Sequence, residues 1–373
     1  MAEPGQRFAA SVYASRLDRA AALAADAGLD AVIVTPGPDL QYLIGSRAST
    51  FERLTALVIP ASATPFVVAP RMELAALRAS ALGDLEIEVR DWVDGDDPYA
   101  LALKSLGVVR RFGLSEATPA LHSIPLTSTA DASPELATPV LRRLRMVKDA
   151  AEIEALREAG SAIDRVHARV GEWLRPGRTE REVAADIAAA IVGEGHAEAD
   201  FVIVGSGPNG ADPHHEVSDR VIGEGETVVV DIGGPTALGY NSDSTRTYAT
   251  GEVSAGIRDA YAALQRAQQA AVDAVRPGVT AESVDAAARR VLQDAGLADR
   301  FIHRTGHGIG LSVHEEPYIV AGNPTVLEPG MAFSIEPGVY FPGEWGARIE
   351  DIVVVTDDGV EPLNRRPHVL AEV

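Results

Sequence analysis

One short signature occurs twice in this chain at an offset of 101 residues. Arg175-Pro-Gly-Arg-Thr179, with Val183 and Ala185 behind it, returns as Arg276-Pro-Gly-Val-Thr280 with Val284 and Ala286. In each copy Pro-Gly breaks one helical pattern, and the threonine is placed to N-cap the next. Each second helix runs out at a glycine, Gly195 or Gly296. A strand pattern follows, over Phe201 to Gly207 and Phe301 to Gly308, and then a His-Glu pair, His215-Glu216 and His314-Glu315. Two strands that read as a hairpin close each copy. They are Thr227 to Gly233 with Tyr240 to Tyr248, and Met331 to Gly338 with Ala347 to Thr356. The order helix, helix, strands therefore occurs twice. Such a chain folds as two half-domains facing each other across a pseudo-two-fold.

The residues before the repeat carry another pattern. Residues 11–27 and 71–82 read as helical, and Ala31–Val34, Leu54–Ile59, Phe66–Ala69 and Glu86–Val89 as short strands, which together make an α/β unit. Residues 115–139 hold Pro119, Pro125, Pro134 and Pro139 and read as a broken stretch. A long helix is expected over 149–173. These boundaries give two domains, 1–143 and 144–373, as the length of 373 residues suggests.

Composition narrows the chemistry. Cysteine is absent, so disulfides, zinc fingers, iron–sulfur clusters and thiol nucleophiles are excluded. Any metal must be held by Asp, Glu and His. The formal net charge of −21 repels phosphate backbones and anionic lipid, so neither nucleic acid nor membrane is an expected partner. No apolar run reaches the ~18–20 residues that span a bilayer, and residues 1–8 show no basic region leading into an apolar one. A cytoplasmic location is expected.

Each hairpin carries two carboxylates within an otherwise apolar strand pattern: Asp231 and Asp243 in the first, Glu336 and Glu350 in the second. An ionised acid in a core strand is costly unless it is paired or metal-bound. Four such acids at matched places in two repeats converge if the hairpins meet. They then need counter-charge, from Arg246 and Arg348 or, better, from one or two divalent cations. Five of the nine histidines, His214, His215, His303, His307 and His314, lie in two short segments, and His307 is flanked by glycines. One histidine with four carboxylates is a hard, oxygen-rich donor set suited to Mn²⁺, Co²⁺ or Fe²⁺. Two ions bridged by carboxylates suit the activation of water for hydrolysis. Gly205-Ser-Gly-Pro-Asn-Gly210 matches a dinucleotide-binding glycine pattern, but Pro208 and the residues after it do not open a helix there. No nucleophile elbow or phosphate-binding Gly-Lys-Ser/Thr loop is present.

These residues resemble the M24 metallopeptidases, in particular the prolidase (Xaa-Pro dipeptidase) and aminopeptidase P branch. The resemblance rests on Asp231-Ile-Gly-Gly, Ser242-Asp-Ser-Thr-Arg-Thr247, His303-Arg-Thr-Gly-His-Gly-Ile-Gly-Leu-Ser-Val-His-Glu-Glu-Pro317, Pro329-Gly-Met-Ala-Phe-Ser-Ile-Glu-Pro-Gly338 and Arg348-Ile-Glu-Asp351. It covers residues 145–365. Segments such as Gln41–Arg47 also resemble actinobacterial dipeptidases of this branch.

The resemblance implies an α+β, pita-bread (creatinase/aminopeptidase-like) catalytic domain with an internal pseudo-two-fold repeat, preceded by an α/β creatinase-like N-terminal domain. It implies two divalent ions, Mn²⁺ first and Co²⁺, Fe²⁺ or Zn²⁺ as alternatives, held by Asp231, Asp243, His307, Glu336 and Glu350. A bridging hydroxide would then hydrolyse the bond after the N-terminal residue of short peptides. Xaa-Pro dipeptides are the expected substrates, and longer Xaa-Pro peptides the alternative. Glu336 would carry the proton, His214 (with the adjacent His215 as the alternative), His303 and His314 would contact the substrate, and Arg348 and Thr245 would orient the ligands. Either Arg348 or an arginine of a neighbouring N-domain would read a substrate carboxylate. Asp231 and Asp243 are spaced one residue wider than in many members, which implies a longer turn. The prolidase branch further implies a homodimer, with residues 45–53 at the rim of the partner's site. A metal-free binding module is the remaining, non-enzyme reading.

Overall fold

A computed structural model describes residues 6–49 and 52–373. The chain divides between Arg145 and Met146 into two compact units. No helix among the described residues is long and apolar enough to cross a membrane.

The N-terminal unit is a six-stranded sheet with helices. Its strands are β1 (Ala31–Val34), β2 (Ala56–Pro60), β3 (Phe66–Pro70), β4 (Glu88–Trp92), β5 (Phe112–Leu114) and β6 (Pro134–Leu136), in the order β4-β3-β2-β1-β5-β6. The helices are α1 (Ala10–Asp26), α2 (Pro38–Ile44), α3 (Leu74–Arg78), α4 (Pro98–Leu103), α5 (Ala120–Ala130) and α6 (Thr138–Met146). Strands β1–β3 are buried along their whole length, as their unbroken β-branched and aliphatic runs require.

Three local expectations are corrected here. The helix expected over 71–82 is a short α3 between two 3₁₀ turns. Strand β4 begins at Glu88, because Glu86 takes a positive φ of 50°. Within the stretch expected to be broken, α5 runs straight through Pro125. Proline removes the bond to the carbonyl four residues back, and Tyr99 Oη lies 3.5 Å from that carbonyl, on Leu121. Of the segment 45–53, Thr50 and Phe51 lie outside the described residues, and Arg53 is paired with Asp94 at 3.0 Å.

The second unit contains the repeat. Its first half is α7 (Ala150–Trp173), α8 (Glu180–Gly193), β7 (Phe201–Ser206), β8 (Thr227–Pro235) and β9 (Asn241–Ala249). Its second half is α9 (Ala255–Ala274), α10 (Ala281–Asp294), β10 (Gly306–Gly308), β11 (Glu315–Ile319), β12 (Ala332–Ile335), β13 (Gly338–Phe341), β14 (Trp345–Arg348) and β15 (Asp351–Val355). Strands β16 (Val360–Pro362) and β17 (Ala371–Glu372) follow. The sheets run β17-β9-β8-β7 and β11-β10-β12-β15-β16, with β13-β14 as a separate pair. Each half has its own apolar cluster between helices and sheet, with Ile163, Val183, Ile187 and Val230 in the first and Leu264, Val284, Leu292 and Phe333 in the second.

Asp149 caps α7 and Thr179 caps α8, each in a reciprocal box with the glutamate three residues on. Thr280 makes no side-chain cap on α10, so the expected symmetry of the caps fails there. Residues 301–305 are irregular rather than a strand. The glycine pattern at 205–210 runs from β7 into a 3₁₀ turn, with no α-helix behind it.

Candidate metal centre and active site

The first half supplies two carboxylates from one unbroken hairpin. Strands β8 and β9 pair from Thr227 opposite Ala249 to Pro235 opposite Asn241, with Asp231 opposite Thr245 and Gly233 opposite Asp243. Side chains alternate along a strand, so Asp243, Thr245 and Thr247 share one face of β9 with Asp231 beside them. The turn between Pro235 and Asn241 absorbs the extra residue without changing this face.

The second half supplies the rest from a broken hairpin. Strand β12 pairs with β15 and β13 with β14, and Glu336 and Ile349-Glu350 fall in the gaps. The gap at Glu350 is filled from the first half: Glu350 N–H donates to Thr245 O at 3.1 Å, and Thr245 Oγ1 donates to Glu350 Oε2 at 2.8 Å. Thr247 Oγ1 donates to Arg348 O at 3.0 Å. The residues of one strand face thus hold the ligand-bearing turn of the other half.

Asp243, His307 and Glu350 are buried, and each offers a ligand atom within 4.8 Å of the others. Glu336 Oε1 stands 3.2 Å from His307 Nε2, and Asp243 Oδ2 stands 3.5 Å from it. His307 Nδ1 donates to the Gly308 carbonyl at 3.1 Å, which leaves Nε2 with its lone pair toward the carboxylates. Burial pushes the His307 imidazole down to about 3, keeping it a neutral donor atom for a metal. Burial and the Asp231 and Glu336 charges raise the Asp243 carboxyl well above its usual range, and burial with Asp243 does the same to Glu350. Burial also pushes Glu336 up to about 7.

Two of the sequence's candidate counter-charges part company here. Arg246 turns away to Asp351 at 2.6 Å and donates to the Glu350 carbonyl. Arg348 stays, pairing with Asp231 at 2.5 Å and donating to Thr245 Oγ1 at 3.2 Å. One guanidinium among four gathered carboxylates leaves them short of positive charge. Asp231 Oδ1 is buried with no hydrogen-bond partner. The neutral imidazole, the orphaned oxygen and the oxygen-rich donor set fit divalent cations.

The centre lies in a cavity of about 690 Å³ that is also lined by Asp200, Phe201, Ile203, Pro213, His214, Ile302, His303, Arg304, Val313, His314 and Arg348. His314 stands edge-on to His307, with 4.1 Å between ring centroids. Of the adjacent histidines, His214 lines the cavity and His215 binds Glu180 at 2.7 Å.

His303, expected against the substrate, has both nitrogens engaged within the protein. Nδ1 donates to Arg304 O and Nε2 meets Tyr340 Oη, each at 2.8 Å. The Tyr340 oxygen accepts from Arg348 Nη1 at 2.8 Å, so its proton goes to His303. His303, Tyr340, Arg348 and Asp231 form one chain. Burial lowers His303 to about 3 and raises Tyr340 to about 12, which keeps both neutral. Sequence reasoning passed over Tyr340 and Arg304. Tyr340 sits in an apolar strand pattern that reads as core. Arg304 lies in a segment expected to be a strand, where its direction has no sequence signal.

The chain belongs to metallopeptidase family M24, whose model matches residues 154–357, and a creatinase/prolidase N-terminal domain matches residues 16–147. Membership in a metallopeptidase family implies a divalent-metal centre. The chain is 65% identical to a probable dipeptidase PepE of Mycobacterium bovis, covering 99% of this chain and 98% of that protein. It is 37% identical to an Xaa-Pro dipeptidase of Lactobacillus delbrueckii subsp. lactis over 90% of this chain and 93% of that one. Among solved structures, the dipeptidase PepE of Mycobacterium ulcerans superposes with a TM-score of 0.95 at 64% identity, covering 99% of this chain and 100% of that one.

Proposed function

We propose that the protein is a dinuclear metal-dependent exopeptidase that cleaves Xaa-Pro dipeptides. The observation that carries the dipeptide reading is the state of the two cavity arginines. Arg348 is taken up by Asp231, Tyr340 and Thr245. Arg304 lines the same cavity with its guanidinium 4.6 Å over the Tyr318 ring, and it pairs with no carboxylate among the described residues. A cation left available beside the ligand cluster suits the C-terminal carboxylate of a two-residue substrate. The dipeptidase names of the relatives support the same reading.

The five ligands would be Asp231, Asp243, His307, Glu336 and Glu350, with Mn²⁺ the first candidate. Bound divalent ions would supply Lewis-acid activation of water and of the scissile carbonyl. Glu336 is the group to take and return a proton, because it stands in the ligand cluster 3.2 Å from His307 Nε2 and Ser334 Oγ donates to its Oε1 at 3.0 Å. His214 and His314 face the cavity and would hydrogen-bond the substrate carbonyl and the charge that develops on it. His303 acts behind them, fixing Arg348 through Tyr340. Pro213, Val313, His214 and His314 offer a wall for a proline ring. A homodimer goes with this reading and is tested by the mass in solution.

The test is turnover by Mn²⁺-loaded enzyme of Ala-Pro, Ala-Pro-Ala and Ala-Ala, alongside Arg304→Met. The proposal expects Ala-Pro to be cleaved fastest and the Arg304 variant to raise KM for it. Equal turnover of the tripeptide would assign the protein to the aminopeptidase P type. Equal turnover of Ala-Ala would remove the proline preference.

A further inference from the structure

Of the histidines lining the cavity, His214 and His314 are each followed by a residue whose side chain is bonded to a buried charged group outside the metal centre. After His214 comes His215, whose Nε2 donates to Glu180 Oε2 at 2.7 Å, with the Glu180 side chain fully buried. After His314 comes Glu315, whose Oε1 accepts from Lys148 Nζ at 2.7 Å, with the Lys148 side chain fully buried. The first half thus anchors its segment on a buried glutamate and the second on a buried lysine. Neither Glu180 nor Lys148 lines the cavity.

Glu180 gathers a whole segment. Its Oε1 accepts from Ser206 N–H at 2.8 Å, Ser206 Oγ at 2.7 Å and Asn209 Nδ2 at 3.0 Å. Its Oε2 accepts from Ser218 N–H at 3.2 Å and Ser218 Oγ at 2.7 Å, besides His215. One carboxylate at the start of α8 therefore pins both ends of the stretch 206–218 and its middle, one residue from His214. On the other side, Gly310 admits the Glu315 carboxylate, since a Cβ there would lie 2.8 Å from Glu315 Oε1. Main-chain bonds hold Lys148 in turn, its N–H donating to Gly330 O at 2.9 Å. A buried ion pair is weak evidence for stability, because apolar residues often serve as well. It does hold a segment in one place, and neighbouring Cα atoms are only about 3.8 Å apart, so a shift at His215 or Glu315 moves the histidine beside it.

We infer that Glu180 and Lys148 are positioning residues, which through His215 and Glu315 set His214 and His314 against the substrate. The inference rests on the proposed role of those two histidines. A displacement of about 1 Å at a reacting group can cost a hundredfold in rate.

The experiment is a pair of double-mutant cycles on Mn²⁺-loaded full-length enzyme with Ala-Pro, measuring kcat and KM separately, with metal content and Tm as controls. Glu180→Gln and Lys148→Met are each expected to lower kcat/KM about tenfold to a hundredfold with metal content unchanged. In the His214→Ala background Glu180→Gln should have no further effect, and likewise Lys148→Met in the His314→Ala background. Crossing the pairs should restore additivity, since each anchor serves its own histidine. His215→Ala tests the first pair from its other end if Glu180→Gln does not fold, and Lys148→Arg should rescue the second. Full additivity within a pair, or an unchanged kcat/KM in the single variants, would overturn the inference. Loss of no activity in His214→Ala and His314→Ala would instead overturn the proposed role of the histidines, which separates the two failures.

Discussion

In the first half-domain β8 and β9 run as one ladder of nine residue pairs, whereas in the second half the strands in the same place pair in two separate pieces. The halves therefore deliver their ligands by different backbone rules. Asp231 and Asp243 reach the centre through register, since a slip of one residue would turn both to the opposite face. Glu336 and Glu350 reach it through a break. Pro337 has no N–H to give to a ladder, Glu336 N–H donates instead to Thr305 O at 2.8 Å, and Glu350 N–H crosses to Thr245 of the other half at 3.1 Å. The break in one half is the place where the other half plugs in. A repeat can thus keep its element order while its two copies divide the labour, one as a rigid frame and one as a set of bends.

The largest effect should come from removing one ligand in each half. Asp243→Ala and Glu350→Ala are both expected to lower turnover of Ala-Pro by about a thousandfold or more, the equivalent of several kcal/mol of lost metal-assisted stabilisation. Elemental analysis should show less metal in both. If the variant of only one half lost metal, the centre would belong to that half alone.

Close packing at the break should come next. A Cβ on Gly306 would overlap the Ser334 carbonyl, beside the serine that supports His307 N–H and Glu336. Gly306→Ala is expected to destabilise by about 1–3 kcal/mol, seen as a lower Tm. A Cβ on Gly233 would meet the Ser242 carbonyl and the Phe201 ring, so Gly233→Ala should act similarly in the first half. Indifference of the second half to its alanine would show that the bends are softer than the frame.

Acid should distinguish the halves as well. Burial pushes the Glu180 carboxyl up, but the hydrogen bonds it accepts from Ser206, Ser218 and His215 together outweigh this and hold it down to about 2 in the folded chain, against an ordinary 4.5. A carboxylate lowered in this way contributes its full stabilisation above about pH 4.5 and loses it as pH falls toward 2. Glu180→Gln should therefore flatten the fall in Tm between pH 4.5 and 2. An unchanged slope would place the acid sensitivity elsewhere.

The smallest test lies at the helix starts. Thr179→Ala should cost about 1 kcal/mol, since it removes half of a capping box. Thr280→Ala should cost a few tenths at most, because Thr280 makes no side-chain cap. Equal losses would mean that both threonines act through something other than the cap.

The repeat was legible because its signature combines a helix breaker, a cap and a glycine stop, each a local signal. The ligand positions were legible for a related reason: an acid inside an apolar strand pattern is conspicuous without any tertiary knowledge. What stayed hidden depends on distant partners. Helix α5 survives Pro125 beside a tyrosine from α4. Arg246 and Arg348 look equivalent as counter-charges, yet Asp351 draws the first away while Asp231 and Tyr340 hold the second. His303 reads like His214 and His314 in sequence, and its bonds to the Arg304 carbonyl and Tyr340 set it apart.

A crystal of the Mn²⁺-loaded protein, measured for anomalous scattering, tests the central claim most directly. The account predicts two adjacent anomalous peaks contacted by oxygens of Asp231 and Asp243 from the first half and by His307, Glu336 and Glu350 from the second. Peaks ligated from one half only, or seated away from this cavity, would contradict it.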